Sequence, residues 1–428
     1  MAVTNDRPVA IDASPGPFGM PRDIWVLSII SFFVSIGFGI IGPAIPLLAK
    51  QFGVGAFMAG LAISAFAAFR LLSALGCGAL VGRLGERTVL ATGLVIQATT
   101  SILAGLAPSF ELLVTFRAIG GIGSAAFSIS SMILLLRLAP QDKRGRAMGI
   151  YQGGGIMGSI AGPAIGGVLA EITPRLPLLV YGGFLLLAAG VGLAKLTPLA
   201  SHESAPIEES LQAEDVEDNI AVLEPVAASD GRAQVPLGPA YLACLLANFA
   251  SGWVFYGMRN SLLPLFINED LNKSAAWTGL AFFLAAIVQG LTLLRAGWVA
   301  DIFGRRIALL LGLSIGLGSL LVIALPISAL VFLVPMMTFG IGAAFMATAP
   351  AALLGDIAHG RGGKIIAIFS MMSDFGAIMG PVVSGIVADQ YSYQAAFVLS
   401  AGVIVLALIP ALMLRSPKAS QALSGGSP

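Results

Sequence analysis

Five charged residues stand inside long apolar runs of this sequence: Asp374, Arg70, Arg117, Arg259 and Arg295. A charge in such a run is costly unless paired or hydrated, so Arg117 is functional by default, and Asp374 and Arg70 are the most informative of the others. Asp374 is the only one of the 22 acids placed well inside a run, about ten residues or on the order of 15 Å from its start. A carboxylate at that depth is disfavoured in its charged form, so it is a group that can take up and release a proton. Arg70 lies about 12 Å from the end of its own run by the same rise. Other chemistries lack their residues. His202 and His359 are too few for a metal site, and Cys77 and Cys244, both in apolar segments, read as small hydrophobes. The Gly363-Lys364 step is followed by Ile365 and lacks the first glycine of a nucleotide loop. With no His, Cys or acid cluster inside the runs, neither an enzyme nor a cofactor is expected.

The elements that hold these charges follow from composition. Of 428 residues 57% are hydrophobic, about 244 positions, and only 11% are charged. A bilayer-spanning helix takes about 20 apolar residues, so the chain has material for about twelve. A soluble protein is excluded. The net charge of +1 offers nothing to a nucleic acid, which needs gathered Lys and Arg. The first twenty residues lack the basic start and short apolar core of a cleaved signal, so the first span must direct insertion. Charge and Pro/Gly punctuation place spans at 24–46, 56–80, 89–107, 111–136, 147–170 and 178–193, then 237–263, 277–300, 307–324, 327–354, 365–388 and 394–414.

The pattern divides the chain into an N-terminal tail (1–23), a six-helix bundle (24–196), a linker (197–236), a second bundle (237–414) and a C-terminal tail (415–428). The linker carries nine acids (Glu203, Glu208, Glu209, Glu214, Asp215, Glu217, Asp218, Glu224 and Asp230) against Arg232, a net charge of about −8 that predicts a solvated tether. Of 23 Lys and Arg, 16 fall in the tails and even-numbered connections and three (Lys50, Arg175 and Lys273) in the odd-numbered ones. This bias predicts that both termini are cytoplasmic.

The two bundles are copies. Gly60-Leu61-Ala62 returns as Gly279-Leu280-Ala281, Gly78 as Gly297 and Gly85 as Gly304, all displaced by 219. Pro46-Leu47 returns as Pro264-Leu265, and Gly158, Gly162 and Pro163 as Gly376, Gly380 and Pro381, displaced by 218. Parallel repeats of this kind build a central site between two rocking halves.

Three motifs are more specific. After the second span the chain reads Gly78-Ala79-Leu80-Val81-Gly82-Arg83-Leu84-Gly85-Glu86-Arg87, and after the eighth Gly297-Trp298-Val299-Ala300-Asp301-Ile302-Phe303-Gly304-Arg305-Arg306. Both resemble motif A of the major facilitator superfamily, with Gly82 standing where the family has Asp. The fourth span contains Arg117-Ala118-Ile119-Gly120-Gly121-Ile122-Gly123, which is similar to motif B with Gly120 in place of Gln. The fifth contains Gly149-x8-Gly158-x3-Gly162-Pro163-x2-Gly166-Gly167, which resembles motif C, the antiporter signature of the twelve-span drug:proton antiporters.

The resemblance implies an all-α membrane protein of two pseudo-symmetric six-helix bundles, monomeric, in a bacterial plasma membrane. It implies a proton-coupled antiporter exporting small amphipathic organic compounds by alternating access. Its partners are then the substrate, protons and the lipid bilayer. A proton symporter importing a nutrient is the alternative, and a non-transporting receptor a weaker one. The resemblance gives the cytoplasmic gate to Gly78, Arg83, Gly85, Arg87, Gly297, Asp301, Gly304, Arg305 and Arg306, with a latching contact at Asp301. Proton transfer falls to Arg117 alongside Asp374 and Arg70, which the family's fold sets on facing walls. Their counterparts at the symmetry-related interface, Ile156 and Gln289, cannot form a charge pair. Phe32, Trp253, Tyr256 and Met371 are candidates for the substrate cavity.

Overall fold

The computed structural model describes residues 19–140, 143–196, 238–358 and 363–414. The acidic linker, the C-terminal tail and residues 1–18 lie outside them. All the regular structure among the described residues is helical, the arrangement in which each segment satisfies its own backbone groups in lipid. Twelve helices are long and apolar enough to span.

The first span runs Arg22–Ile41 and resumes as Ala44–Gln51; the second is Ala56–Leu84, the third Glu86–Leu106, the fourth Phe110–Leu138, the fifth Arg144–Ile172 and the sixth Leu176–Lys195. The seventh combines Pro239–Ser251, a π-helical turn Gly252–Met258 and Arg259–Glu269. The remaining spans are Ala275–Phe303, Arg305–Ile323, Ala329–Ala358, Gly363–Gln390 and Tyr393–Met413.

Two spans differ from the sequence reading. The first is broken at Gly42 and Pro43, where proline lacks an N–H and restricts the residue before it. The seventh continues six residues beyond 263. Its polar end is held by Lys50, whose Nζ lies 2.9 Å from Glu269 and 3.1 Å from the Asn268 amide oxygen.

With an even number of spans, both ends of the chain share one face, here the terminal face; the opposite one is the far face. Each bundle turns on the terminal face at a glycine of positive φ, Gly85 at 80° and Gly304 at 93°, a conformation that costs glycine little.

The glycines of the fifth span bring it to backbone contact with the first. A Cβ on Gly154, Gly158, Gly162 or Gly166 would lie 2.3 to 2.5 Å from the carbonyl oxygens of Ser28, Phe32, Ile36 and Ile40. Small residues on one face therefore do here what they do in other membrane helix pairs. The eleventh span repeats the arrangement, with Gly376 against Phe249 and Gly380 against Trp253.

The two bundles meet along two seams, the second span with the eleventh and the fifth with the eighth. At the far face, Asp389 accepts hydrogen bonds from the backbone N–H of Ala56 (2.7 Å) and Phe57 (2.9 Å). At the other seam Glu171 accepts from Ala276 at 3.1 Å. Each carboxylate thus caps a helix N-terminus belonging to the opposite bundle, where orphan N–H groups and the helix dipole favour negative charge. Deeper in, a Cβ on Gly60 would lie 2.5 Å from the Pro381 carbonyl oxygen, and one on Gly279 2.6 Å from that of Pro163.

Toward the terminal face these contacts stop. Among the described residues, the hydrogen bonds and ion pairs joining the bundles all lie between the far face and Arg70–Asp374. Nothing stands within 4 Å of a Cβ built on Gly76, Gly82, Gly149, Gly153 or Gly297. The bundles are closed on the far face and part toward the terminal face.

Candidate functional site

Asp374 and Arg70 are brought together where the closed half gives way to the open one. Arg70 Nη2 donates to Asp374 Oδ1 at 2.6 Å across the seam between the second and eleventh spans. Nearly two turns toward the far face from Arg70, the Ser64–Ile378 contact continues the same seam, the hydroxyl donating to the carbonyl at 2.6 Å. The small residue Gly121 lets the fourth span approach the backbone of the second at Phe66 and Arg70: a Cβ there would lie 3.0 Å from the Arg70 backbone nitrogen.

Arg117 is elsewhere. It is buried in the first bundle, 7% exposed, with its guanidinium carbon 4.4 Å from the centre of the Phe66 ring. Its Nε has no hydrogen-bond partner. Beside it Tyr181 accepts from Gln97 Nε2 at 2.6 Å, in space left by the missing side chain of Gly37. The cation is stabilised by an aromatic face rather than by an acid.

The cavity candidates separate. Tyr256, on the π-helical turn, is 55% exposed although it lies in mid-span, and it is within electrostatic range of both Arg70 and Arg259. Met371, one turn from Asp374, is 52% exposed. Phe32 is half-buried, its ring 5.6 Å from that of Phe33. Trp253 corrects the expectation: it is 6% exposed, and its indole N–H donates to Ser400 of the twelfth span at 3.1 Å. The indole needs a partner for its one polar group, and finds it in the core of the second bundle rather than in the cleft.

The gate residues also behave differently from the expectation. Asp301 makes no latch across the bundles here; it pairs with Arg305, whose Nε also lies 3.4 Å from Asp356 Oδ2. With the terminal face open, the opposite bundle is out of its reach. In the first bundle the corresponding tie joins Glu86 to Arg137. Residues 86 and 305 are equivalent, as are 137 and 356, so the same helix ends are tied with the charges exchanged. Arg87 donates to the Leu193 carbonyl and Arg306 to that of Leu412, another equivalent pair. Gly78 and Arg83 occupy the last turns of the second span, Arg83 exposed.

Gly149 of the antiporter motif faces open space, while Gly158, Gly162 and Gly166 hold the first span. Pro163 and Gly167 touch Gly279 across the seam. The motif therefore serves both packing within the bundle and contact between bundles.

Sequence reasoning missed the two far-face caps. A signal was present, since Glu171 and Asp389 are separated by the repeat's own displacement of 218. The Arg259 contact with Phe282 was also missed, and no spacing rule would have given it.

A two-bundle, twelve-span membrane protein with a central cleft and an ion pair at its closed end is the class this arrangement defines. Two stretches, 27–259 and 244–427, match the model of the Major Facilitator Superfamily, and the chain belongs to that superfamily of transporters. It is 24% identical over 363 residues to Multidrug resistance protein 1 of Bacillus subtilis (strain 168), covering 84% of this chain and 87% of that one. Over 169 residues it is 27% identical to Quinolone resistance protein NorA of Staphylococcus aureus, covering 40% of this chain and 44% of that one. In fold it is similar to a bacterial homolog of the human lysosomal transporter Spinster, with a TM-score of 0.72 at 16% identity over 91% of this chain and 96% of that one. The nucleoside transporter NupG gives a TM-score of 0.70 at 14% identity, covering 92% and 99%.

Proposed function

We propose that this transporter is a proton-coupled antiporter that exports small amphipathic organic compounds across a bacterial plasma membrane. The distribution of Lys and Arg supports a cytoplasmic terminal face, and in that orientation the conformation described is inward-facing. Relatives carrying the names multidrug and quinolone resistance protein support the direction of transport.

The observation that carries the reading is the 2.6 Å Arg70–Asp374 pair at the closed end of the cleft. An ionised Asp374 ties the second span to the eleventh. Protonation removes one partner, leaves Arg70 to water or substrate and frees that part of the seam. Alternating states of a transporter need differ by only a few kcal/mol, a size that loss of one ion pair can supply. Asp301 serves the alternate state in this scheme: when the cytoplasmic ends close, its carboxylate becomes available to the first bundle. Asp301→Asn then impairs transport more than Gly82→Asp does.

Flux into proteoliposomes under imposed pH gradients of each sign, across a panel of organic compounds, tests the proposal. Substrate movement against the proton flow supports antiport. Movement with the protons would establish the symport alternative. Labelling of a Glu209→Cys variant from inside cells only is the matching expectation for topology.

A further inference from the structure

The intramembrane charges do not balance. Four arginines, Arg70, Arg117, Arg259 and Arg295, face one acid well inside a span, Asp374, and Arg70 already occupies that acid. Arg295 is exposed nearer the terminal face, and Arg117 is sealed under Phe66. Arg259 is different from both. It opens the helix that follows the π-helical turn, and its guanidinium carbon sits 4.5 Å from the centre of the Phe282 ring. Its Nε is buried without a hydrogen-bond partner, and no carboxylate among the described residues pairs with it. It remains partly exposed, and Tyr256, one turn nearer the open side, is exposed to the cleft and in electrostatic range of both Arg259 and Arg70.

We propose that Arg259 is an anion-binding residue of the transport cavity, and that the preferred substrates carry a carboxylate or similar monoanion on an apolar body. Resting on the export reading above, this names the substrate class of the same cleft. A guanidinium stacked on an aromatic ring keeps its in-plane N–H groups free, the geometry that grips a carboxylate with two hydrogen bonds. An uncompensated cation at this depth is costly, and a substrate anion removes that cost on arrival. The Tyr256 hydroxyl can donate a further hydrogen bond to the same group. Asp374 repels an anion from the neighbourhood of Arg70, so the carboxylate is directed to Arg259. A cationic compound meets the opposite field at this end of the cleft.

Binding of three matched fluorescent probes to the purified full-length protein in lipid nanodiscs tests this: 1-pyrenebutyrate, its methyl ester, and a pyrenylbutyl trimethylammonium salt. The carboxylate should bind at least about tenfold more tightly than either of the others, a difference one strong charge-assisted contact supplies. Arg259→Gln should erase that preference while leaving the ester's affinity unchanged, and Arg259→Lys should retain part of it. Unchanged ester binding also shows that the variant is folded. Equal affinities for the three probes, no binding of the carboxylate, or an undiminished preference in Arg259→Gln would overturn the proposal. Selective binding without flux of any probe under either pH gradient would instead defeat the export reading and leave the anion site standing.

Discussion

The seam between the second and eleventh spans and the seam between the fifth and eighth are built on one plan and end differently. Both begin at the far face with a carboxylate capping a helix of the other bundle, Asp389 on Ala56 and Phe57, Glu171 on Ala276. Both continue through a glycine pressed on a backbone carbonyl, Gly60 on Pro381 and Gly279 on Pro163. At the inner end, the first seam has Arg70 with Asp374. The second has Gln289 and Ile156 at the equivalent positions, with Ile156 and Ile160 packed near Gly290. A shared clamp closes the far face, and only one of its two arms carries a charge that a proton can cancel. The closing contacts are therefore matched, whereas under the proposed mechanism proton sensing falls to one side.

The largest effect is expected where that difference lies. Asp374→Asn leaves the first seam, like the second, without a carboxylate that a proton can neutralise, so the response of flux to a pH gradient should vanish while substrate binding persists. Proteoliposome flux with and without the gradient reads this out, and uphill transport surviving in the variant would place coupling at Arg117 or another group. Next come the glycines common to both seams. Gly60→Leu and Gly279→Leu each drive a side chain into a backbone carbonyl, an overpacking worth about 1–3 kcal/mol against far-face closure. Both should lower transport strongly and leave the far face open to cysteine labelling. A severe loss in only one of the two would show that the arms close independently.

The caps should act more mildly and unequally. Asp389 satisfies two backbone N–H groups and Glu171 one, and a lost helix cap costs about 0.5–2 kcal/mol. Spin-label distances across the far face should widen more for Asp389→Asn than for Glu171→Gln, and equal widening would refute the ranking. The smallest effect is expected from the tie of the second bundle, where Asp356 is more than half exposed beside Arg305. Asp356→Asn removes that carboxylate and leaves Arg305 its contact with Asp301. Exposed pairs are worth about 0–1 kcal/mol, so flux should stay within about twofold of the parent.

Much of this was legible in the residues. Apolar runs of bilayer length, their six-and-six division and the constant displacement report the spans and the repeat, because lipid leaves a spanning segment few alternatives to a helix. The charge at Asp374 was equally visible, since an acid in an apolar run stands out against its neighbours. The breaks in the first and seventh spans were harder to read, as Gly42 with Pro43 and the π-helical turn interrupt no hydrophobic run. Trp253 shows the limit for side-chain direction: its place in the chain is equally compatible with the cleft and with the core, and Ser400 decides between them.

The sequence by itself determined the spans, the two-fold repeat, the family motifs and the scarcity of acids within the membrane. These follow from local periodicity and composition, which each segment carries alone. Tertiary structure decided which of those segments meet. It set Arg70 on Asp374, Asp389 and Glu171 on the helix ends of the opposite bundle, and Arg259 over Phe282 without an acid. Contacts between residues hundreds of positions apart depend on how two rigid bundles tilt against each other, and that tilt is a property of the packed molecule and of no single segment.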